Sequence, residues 1–368
     1  MIKSVTCVAP INIAVVKYWG KLSEEFNIPL NSSLSLTLDS QDLCTQTCLT
    51  LDSSLSRDEL WLNGAEEDIS KNKRIQRCLA KARQLALADD DTRELSTMFC
   101  KIVSKNNFPT AAGLASSASG YACLAKCLGQ IFGLNENLSS LARLGSGSAC
   151  RSMDGGFVKW EKGNSLDGHD SIAKQIVPED YWNDLHCLIL VVSNKQKSVP
   201  STEGMKRSVK TSQLLQFRVE SIVDARLAEM ENAIIAKDFD KFAQLTMKES
   251  NQLHAICQDT YPPINPPYMN STSHKIIQFI TKYNESDIKA AYTFDAGANS
   301  VLFVLEKNLK ELLATLTKYF SIHKEAISSS SVIDFEMDNS INLKDFVITK
   351  HCLERVIVTR GGKGASLI

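Results

Sequence analysis

FPTAAGLASSASG occupies residues 108–120 of the chain, and this stretch decides the fold. A turn containing Gly113 leads into small residues and hydroxyls, which open a helix predicted over 117–132. Small residues let a ligand approach the backbone closely, and the free amides at the start of a helix favour anions. The pattern predicts a phosphate cradle, although no Gly-Lys-Ser/Thr follows as in a Walker A loop. The alternative is a small-residue turn that packs its helix tightly.

The length of the chain predicts two domains, and its composition is typical of a soluble globular protein. The 368 residues are 43% hydrophobic and 23% charged, and the formal net charge is −1. This charge argues against a general nucleic-acid binder, and the absence of any run of about 18 apolar residues argues against a membrane-spanning helix. We therefore expect neither nucleic acid nor a membrane as a partner.

The two ends of the chain and its cysteines favour the cytoplasm. A strand-like segment begins at Val5, which leaves no room for a signal peptide, and residues 366–368 are not the peroxisomal Ser-Lys-Leu. The eleven cysteines are scattered and include no Cys-x-x-Cys pair. We therefore expect reduced structural thiols rather than disulfides or a metal site.

Short strands mix with helices along the first half of the chain. Residues 34–38 alternate in polarity, and residues 45–51 are predicted to form their partner strand. Residues 185–192 form a near-continuous apolar run, which predicts a buried strand near the boundary between domain 1–190 and domain 191–368. The last strand of the chain is free to return toward the N-terminal domain.

The second half predicts a different arrangement of elements. From residue 290 onward, the order is strand, turn, strand, helix and strand, which favours an antiparallel sheet with helices on one face. This is an α+β arrangement. The polar, Pro-containing residues 195–202 are predicted to form a mobile loop.

A second anion-binding segment lies near the start of the chain. Lys17, Tyr18 and Lys21 follow a hydrophobic stretch, with no acidic residue between them. Lysine is a compact charge that suits phosphate, and a tyrosine hydroxyl adds a donor. The alternative is a solvated edge with two ordinary surface lysines.

A third segment, residues 145–152, alternates glycine with serine and then reaches an arginine. Ser146 and Ser148 can bind phosphate oxygens, and Arg151 presents a planar fork that matches a carboxylate. The alternative is a flexible loop.

The fourth segment places one acidic residue, Asp295, where an apolar strand meets a glycine turn. A buried aspartate balanced by a nearby cation is a common form of catalytic carboxylate, although Asp295 could instead cap the turn. Together, the four segments supply positioning and charge neutralisation, which are what phosphoryl transfer requires.

These segments carry a family resemblance. The run from Pro109 through Gly113 to Ser119 resembles the phosphate loop of the GHMP kinase superfamily. Within that superfamily, residues 17–21, 145–152 and 295–297 together resemble the diphosphomevalonate decarboxylases, and the similarity runs from near residue 5 to residue 362.

The resemblance implies a fold and a reaction. The fold is a two-domain GHMP kinase fold, with an N-terminal α/β domain containing a left-handed βαβ unit and a C-terminal ferredoxin-like α/β sandwich. In the reaction, ATP phosphorylates the 3-hydroxyl of mevalonate 5-diphosphate. Loss of phosphate and CO2 then gives isopentenyl diphosphate for isoprenoid and sterol biosynthesis. A homodimer is expected by the same analogy.

The resemblance also assigns roles to individual residues. Asp295 faces the 3-hydroxyl, Arg151 orients the substrate carboxylate, and Lys17 neutralises charge near the reacting centre. The other substrate-binding residues are Tyr18, Lys21, Ser146, Ser148, Ser201 and Thr202. The ATP-binding residues are Pro109, Gly113, Leu114, Ala115, Ser116 and Ser117, and Ser116 is also the candidate ligand of Mg²⁺.

One departure from the family pattern and two alternative functions complete the expectations. Leu22 and Ser23 replace the Arg-Asp that often follows the lysine matching Lys21, which changes the charge around the diphosphate. A kinase of the same superfamily would stop at the phosphorylated product. A non-catalytic nucleotide-binding regulator would bind these ligands without turnover.

Overall fold

The computed structural model describes residues 2–108, 116–134, 137–193, 197–330, 343, 346–348 and 352–368. The strands are β1 (Ile2–Pro10), β2 (Asn12–Val16), β3 (Lys21–Ser23), β4 (Ile28–Pro29), β5 (Ser33–Thr37), β6 (Cys44–Asp52), β7 (Glu59–Leu62), β8 (Ala65–Glu67), β9 (Cys100–Asn106), β10 (Phe157–Trp160), β11 (Ala173–Val177), β12 (Leu185–Val191), β13 (Ala290–Phe294), β14 (Ser300–Leu305), β15 (Ile327–Ser329), β16 (Arg355–Arg360) and β17 (Ser366–Leu367). The helices are α1 (Lys73–Leu87), α2 (Arg93–Ser96), α3 (Ser116–Ile131), α4 (Leu138–Gly145), α5 (Ser201–Thr211), α6 (Gln213–Ser221), α7 (Val223–Ala236), α8 (Phe239–Asp259), α9 (Ser271–Tyr283) and α10 (Glu306–Phe320). Short 3₁₀ helices cover Ile69–Lys71, Gly147–Met153 and Lys324–Ala326.

Two sheets and a separate antiparallel pair, β3-β4, build the described first half of the molecule. The larger has the order β17-β1-β6-β9-β7-β8, with β7 and β9 parallel and the other neighbours antiparallel. The smaller is antiparallel, with the order β11-β10-β5-β2. The predicted pairing of residues 34–38 with 45–51 is wrong, because these strands lie in different sheets. Alternation of polarity identifies a half-buried strand, but it does not name the neighbouring strand.

The described residues of the second half form one sheet with the order β13-β14-β12-β16-β15. Without the short parallel β15, its four strands are antiparallel and follow the chain order strand, helices, strand, strand, helix, strand. This is the ferredoxin-like arrangement, and the α+β fold class is confirmed. The hand of the βαβ unit in the first half stays a prediction.

Helices cover both faces of the second-half sheet, so the prediction of helices on one face is wrong. Leu188 and Tyr292 face a cluster formed with α9 and α10, whereas Ile189 and Phe303 face α7 and α8. A strand buried on both faces reads as a continuous apolar run, and β12 has that pattern.

The two halves share one hydrophobic cluster. It combines Ile13 and Leu36 of the small sheet with Phe242 of α8 and Phe303 of β14. Among the described strands, β12 pairs with β14 and β16 of the second half, and it runs to Val191, so a boundary between 190 and 191 cuts through it. We propose a division just before Leu185. The last strand, β17, pairs with β1 of the first half.

Candidate active site

A cavity of about 360 Å³ brings the four sequence segments together. Its walls come from the chain after β2, the start of α3, the 3₁₀ helix Gly147–Met153, the start of α5 and the turn after β13. The predicted site residues that line it are Lys17, Tyr18, Lys21, Ser116, Ser117, Ser146, Ser148, Arg151, Ser201, Thr202 and Asp295. The remaining predicted residues, Pro109, Gly113, Leu114 and Ala115, lie outside the described residues.

An ion pair between Lys17 and Asp295 forms part of the cavity wall. Lys17 Nζ donates a hydrogen bond to Asp295 Oδ1 over 2.7 Å. The Lys17 side chain is 2% exposed and that of Asp295 is 44% exposed, so the carboxylate remains open to the cavity. Burial raises the pKa of Asp295, but the charges of Lys17 and, more weakly, Arg151 and Lys197 outweigh it and lower that pKa. Asp295 is therefore ionised at neutral pH.

Arg151 is buried, and its guanidinium is fixed by two serines. Nε donates to Ser35 Oγ over 2.9 Å, and Nη1 donates to Ser33 Oγ over 2.7 Å. The guanidinium also lies 5.7 Å from the centre of the Trp160 ring. Arg151 lines the cavity, and no acceptor for its Nη2 is found among the described residues. The fork is thus held rigidly, with hydrogen-bond donors left for a ligand.

Tyr18 and Lys21 supply a hydroxyl and an ammonium. The Tyr18 hydroxyl is buried without a hydrogen-bond partner in the described part of the chain, and burial raises its pKa, so it stays protonated. Lys21 Nζ donates to Asn27 Oδ1 over 2.7 Å and lies 3.9 Å from Glu24. Asn27 and Glu24, rather than residues 22 and 23, therefore supply the polar surroundings of the Lys21 ammonium.

Serine hydroxyls connect α3 to the 3₁₀ helix that follows α4. Ser146 Oγ lies 3.3 Å from Ser117 Oγ and 3.4 Å from Ser148 Oγ. Asn12 of β2 anchors this segment by donating to the Ser148 carbonyl over 3.0 Å and to Ser152 Oγ over 2.8 Å. The segment is therefore a buried, hydrogen-bonded turn of helix and not a flexible loop.

Ser201 and Thr202 are the last two residues of the predicted loop 195–202, but they lie in the first turn of α5. The prediction is wrong for these two residues, and the loop ends at Pro200. Residues 195 and 196 of that predicted loop lie outside the described residues. Lys197 Nζ donates to Ser201 Oγ and to the Ala296 carbonyl, each over 2.7 Å. Arg74 Nη2 of α1 donates to Thr202 Oγ1 over 3.0 Å.

Comparison with known proteins identifies the family. Residues 9–173 match the diphosphomevalonate decarboxylase-like N-terminal domain, and residues 187–368 match the mevalonate 5-diphosphate decarboxylase C-terminal domain. The diphosphomevalonate decarboxylase of Homo sapiens is 52% identical over 321 residues, which cover 85% of this chain and 80% of the human protein.

This chain belongs to the mevalonate 5-diphosphate decarboxylase family. A solved mevalonate diphosphate decarboxylase from Trypanosoma brucei is 39% identical, covers 100% of this chain and 98% of its own, and superimposes with a TM-score of 0.92. A solved decarboxylase from Enterococcus faecalis is 34% identical, covers 100% and 99% of the two chains, and gives a TM-score of 0.80. The family likeness therefore extends over both halves of the molecule.

Sequence reasoning missed several residues of the decarboxylase cavity. Asn12, Asn27, Arg74 and Lys197 all line it. Arg74 is one of several basic residues on the polar side of α1, and nothing in the sequence distinguishes it from its neighbours. Asn27 has a φ of +50°, a conformation that asparagine tolerates better than most residues, but such a backbone angle cannot be read from the sequence.

Three expected absences concern the described part of this decarboxylase-family chain. None of its described helices has the length and hydrophobicity needed to cross a bilayer. No group of three or more His, Cys, Asp or Glu side chains there could hold a metal ion. No disulfide bond joins any of the eleven cysteines, all of which lie within the described ranges.

Proposed function

We propose that this chain converts mevalonate 5-diphosphate and ATP to isopentenyl diphosphate, ADP, phosphate and CO2. The observation that carries the proposal is the Lys17–Asp295 ion pair beside Arg151 in one cavity. The names of the curated relatives support it. So does a solved, 34% identical structure described as MDDEF in complex with MVAPP, AMPPCP and magnesium.

The charge of the cavity fits a polyanionic substrate. The described residues that line it include the cations Lys17, Lys21, Arg74, Arg151 and Lys197, against the single carboxylate of Asp295. A concave wall of one charge sign raises the local concentration of oppositely charged ligands. The whole chain has a formal net charge of −1, so this positive field is local to the cavity.

Asp295 acts on the 3-hydroxyl of the substrate, as base or orienting group. Its pKa is held low by Lys17, so the ionised carboxylate accepts the hydroxyl hydrogen bond. It takes the proton as the substrate oxygen bonds to the γ-phosphorus of ATP, while the bond from that phosphorus to the bridging oxygen breaks and ADP leaves. Lys17 then holds charge that develops beside the transferred group. Positioning and charge stabilisation supply most of the catalysis in such a transfer.

Arg151 binds the carboxylate that leaves as CO2. Phosphorylation turns a poor leaving group at C3 into a good one, and departure of phosphate leaves C3 electron-deficient. The electron pair of the bond to the carboxylate then forms the new double bond, and CO2 is released. Ser146 and Ser148 line the same part of the substrate, and the serine-fixed fork of Arg151 keeps the carboxylate oriented.

The two phosphate-bearing groups take separate parts of the cavity. Tyr18, Lys21 and Arg74 hold the substrate diphosphate, with Ser201 and Thr202 closing on it from α5. Ser116 and Ser117, at the start of α3, hold the ATP phosphates together with Pro109, Gly113, Leu114 and Ala115. The hydroxyl of Ser116 is an oxygen donor that suits Mg²⁺, which supplies further neutralisation of phosphate charge.

The competing function is a kinase that stops at the phosphorylated product. Incubation of the protein with ATP and mevalonate 5-diphosphate, with ADP, phosphate and CO2 all measured, separates the two. We expect one CO2 and one phosphate for each ADP. ADP without CO2 or phosphate would establish the kinase instead. The homodimer and the cytoplasmic location stay predictions.

A further inference from the structure

The main chain of Lys17 is held by groups that the reaction itself does not use. Its amide N–H donates to Glu249 Oε2 of α8 over 2.8 Å. Its carbonyl accepts from Arg218 Nη2 of α6 over 3.1 Å and from Asn31 Nδ2 over 3.0 Å. Strand β2 ends at Val16, so these bonds replace the sheet partners that Lys17 lacks. The amide and the carbonyl of Lys17 are thus both held in place, and the side chain extends from this fixed backbone to Asp295.

The residue next to Glu249 holds the other partner of the ion pair. Ser250 Oγ accepts a hydrogen bond from the main-chain amide of Phe294 over 2.9 Å, and Phe294 directly precedes Asp295. Two consecutive residues of α8 therefore bind the backbones that carry Lys17 and Asp295. Because a helix is rigid over one residue, α8 fixes the distance between these two backbones.

The anchor on the Lys17 side is an ion cluster with little freedom to move. Glu249 and Arg218 are both buried. The Glu249 carboxylate accepts hydrogen bonds from Arg218 Nη1 over 2.8 Å and from Arg218 Nη2 over 2.6 Å. Arg226 donates to Glu249 Oε1 over 2.9 Å. Burial of such charges is a poor source of stability compared with apolar packing. The ion cluster beside Lys17 therefore has a role other than stability. Fully paired buried charges hold a fixed geometry, and that is the role which this cluster can fill.

We propose that Glu249, Arg218 and Ser250 are positioning residues that set the contact between Lys17 and Asp295. Helices α6 and α8 lie in the second half of the chain. They therefore hold Lys17, a residue of the first half, against the turn of the second half that carries Asp295. This inference rests on the proposed roles of Lys17 and Asp295. A displacement of about 1 Å in such a pair is enough to lower a rate on the order of 10²-fold.

The experiment compares conservative variants that differ in their contact with Lys17. Arg218→Lys keeps the charge beside Glu249 but removes the fork that reaches the Lys17 carbonyl. Ser250→Ala removes the acceptor for the Phe294 amide. Arg226→Lys is the matched control, since Arg226 binds the same carboxylate but makes no contact with Lys17. The rates of CO2 and ADP formation are measured together with thermal unfolding.

We expect Arg218→Lys and Ser250→Ala to lower kcat about ten- to a hundredfold, with KM for ATP changed less than twofold. Arg226→Lys should keep the wild-type kcat even where its unfolding temperature falls. Equal kcat values for folded Arg218→Lys, Ser250→Ala and Arg226→Lys proteins would overturn the proposal. A Lys17→Met protein with wild-type kcat would instead overturn the proposed role of Lys17, and so separates the two failures.

The pH profile gives a readout that a purely structural role would not move. Asp295 is faced by Lys17 from the end of β2, Arg151 from the 3₁₀ helix, Lys197 from before α5 and His254 from α8. When Lys17 is displaced, its charge no longer favours the ionised carboxylate to the same extent. The acidic limb of kcat should therefore move to higher pH in Arg218→Lys and stay unchanged in Arg226→Lys. An unmoved limb in Arg218→Lys contradicts the positioning role.

Discussion

At the scale of single residues, the Lys17–Asp295 pair is asymmetric in a way that suits catalysis. The ammonium is buried, whereas much of the carboxylate is exposed to the cavity. Oδ1 accepts from Lys17, and no donor to Oδ2 is found among the described residues. One carboxylate oxygen is thus fixed while the other is left for a substrate hydroxyl.

Replacing Asp295 with asparagine tests that asymmetry. Asp295→Asn keeps the shape but removes the proton acceptor, so we expect kcat to fall about 10²- to 10⁴-fold, the usual range for loss of a positioned acid–base group. The Phe294–Ser250 bond does not involve the carboxylate, so the fold should persist. Rates of ADP and CO2 formation, with circular dichroism as the control for folding, provide the measurement. A rate within twofold of wild type would exclude the proposed role of Asp295.

Arg151→Lys tests the planar fork. A single ammonium cannot reproduce the planar fork whose separate nitrogens bind Ser33 and Ser35 and are proposed to bind the substrate carboxylate, so orientation is lost even though the charge is kept. We expect kcat to fall on the order of 10²-fold. Arg360→Lys is the matched control, since Arg360 is more than half exposed and does not line the cavity. Similar rates for the two variants would argue against carboxylate binding by Arg151.

Site residues could be predicted from the sequence where a short segment contains a distinctive pattern of residue types. The serines near 116 and 146, the lysines near 17 and Asp295 each stand in a distinctive local pattern. Arg74 could not be found in this way, because its neighbours on α1 have the same composition. Glu249 and Arg218 could not be found either, since the role of a buried charge depends on a partner that the sequence does not reveal.

At the scale of elements, helix bounds followed the sequence more closely than strand pairing did. The predicted helix over 117–132 agrees with α3, and Asn137 caps α4 by accepting from the Ser139 amide. Caps and helical periodicity are local signals. Strand neighbours are set by the tertiary fold, which is why β5 and β6 were wrongly paired.

The contact between α1 and α5 supports an element-scale prediction. Arg74 reaches Thr202 across the cavity edge, and we propose that it binds the substrate diphosphate. Loss of a hydrogen bond to a charged group costs about 1.5–3 kcal/mol, which corresponds to about a tenfold or larger rise in KM. Arg74→Met should therefore raise KM for mevalonate 5-diphosphate while kcat changes less than twofold.

The control for Arg74→Met lies on the same helix. Arg77 donates to the main-chain carbonyls of Glu24 and Glu25 at the surface and does not line the cavity. Arg77→Met should leave KM within twofold of wild type. Initial rates at varied mevalonate 5-diphosphate and saturating ATP measure both variants. An equal rise in KM for both would show a general effect of charge rather than a contact by Arg74.

At the scale of the whole molecule, the active site depends on how the two halves meet. Lys17 and Asp295 are 278 positions apart in the chain. No local pattern predicts their contact, and the family resemblance was needed to bring them together before the structure did. The hydrophobic cluster that both halves share is the physical reason for their fixed relation. The geometry of the active site therefore depends on the stability of the interface between the two halves.

Phe242→Ala tests that coupling between the halves. Phe242 of α8 is fully buried and packs edge-on against Phe157 of the first half, at 5.9 Å between ring centres, and against Phe303 of the second, at 5.3 Å. Truncation of a buried phenylalanine costs about 3–5 kcal/mol of unfolding free energy. Since its neighbours come from both halves, we expect the halves to lose stability together in one transition. Denaturant unfolding followed by tryptophan fluorescence and far-UV circular dichroism should give coincident curves with a lowered midpoint. Separate transitions, with only one of them shifted, would show that the halves unfold independently and that the shared cluster does not hold the catalytic pair in register.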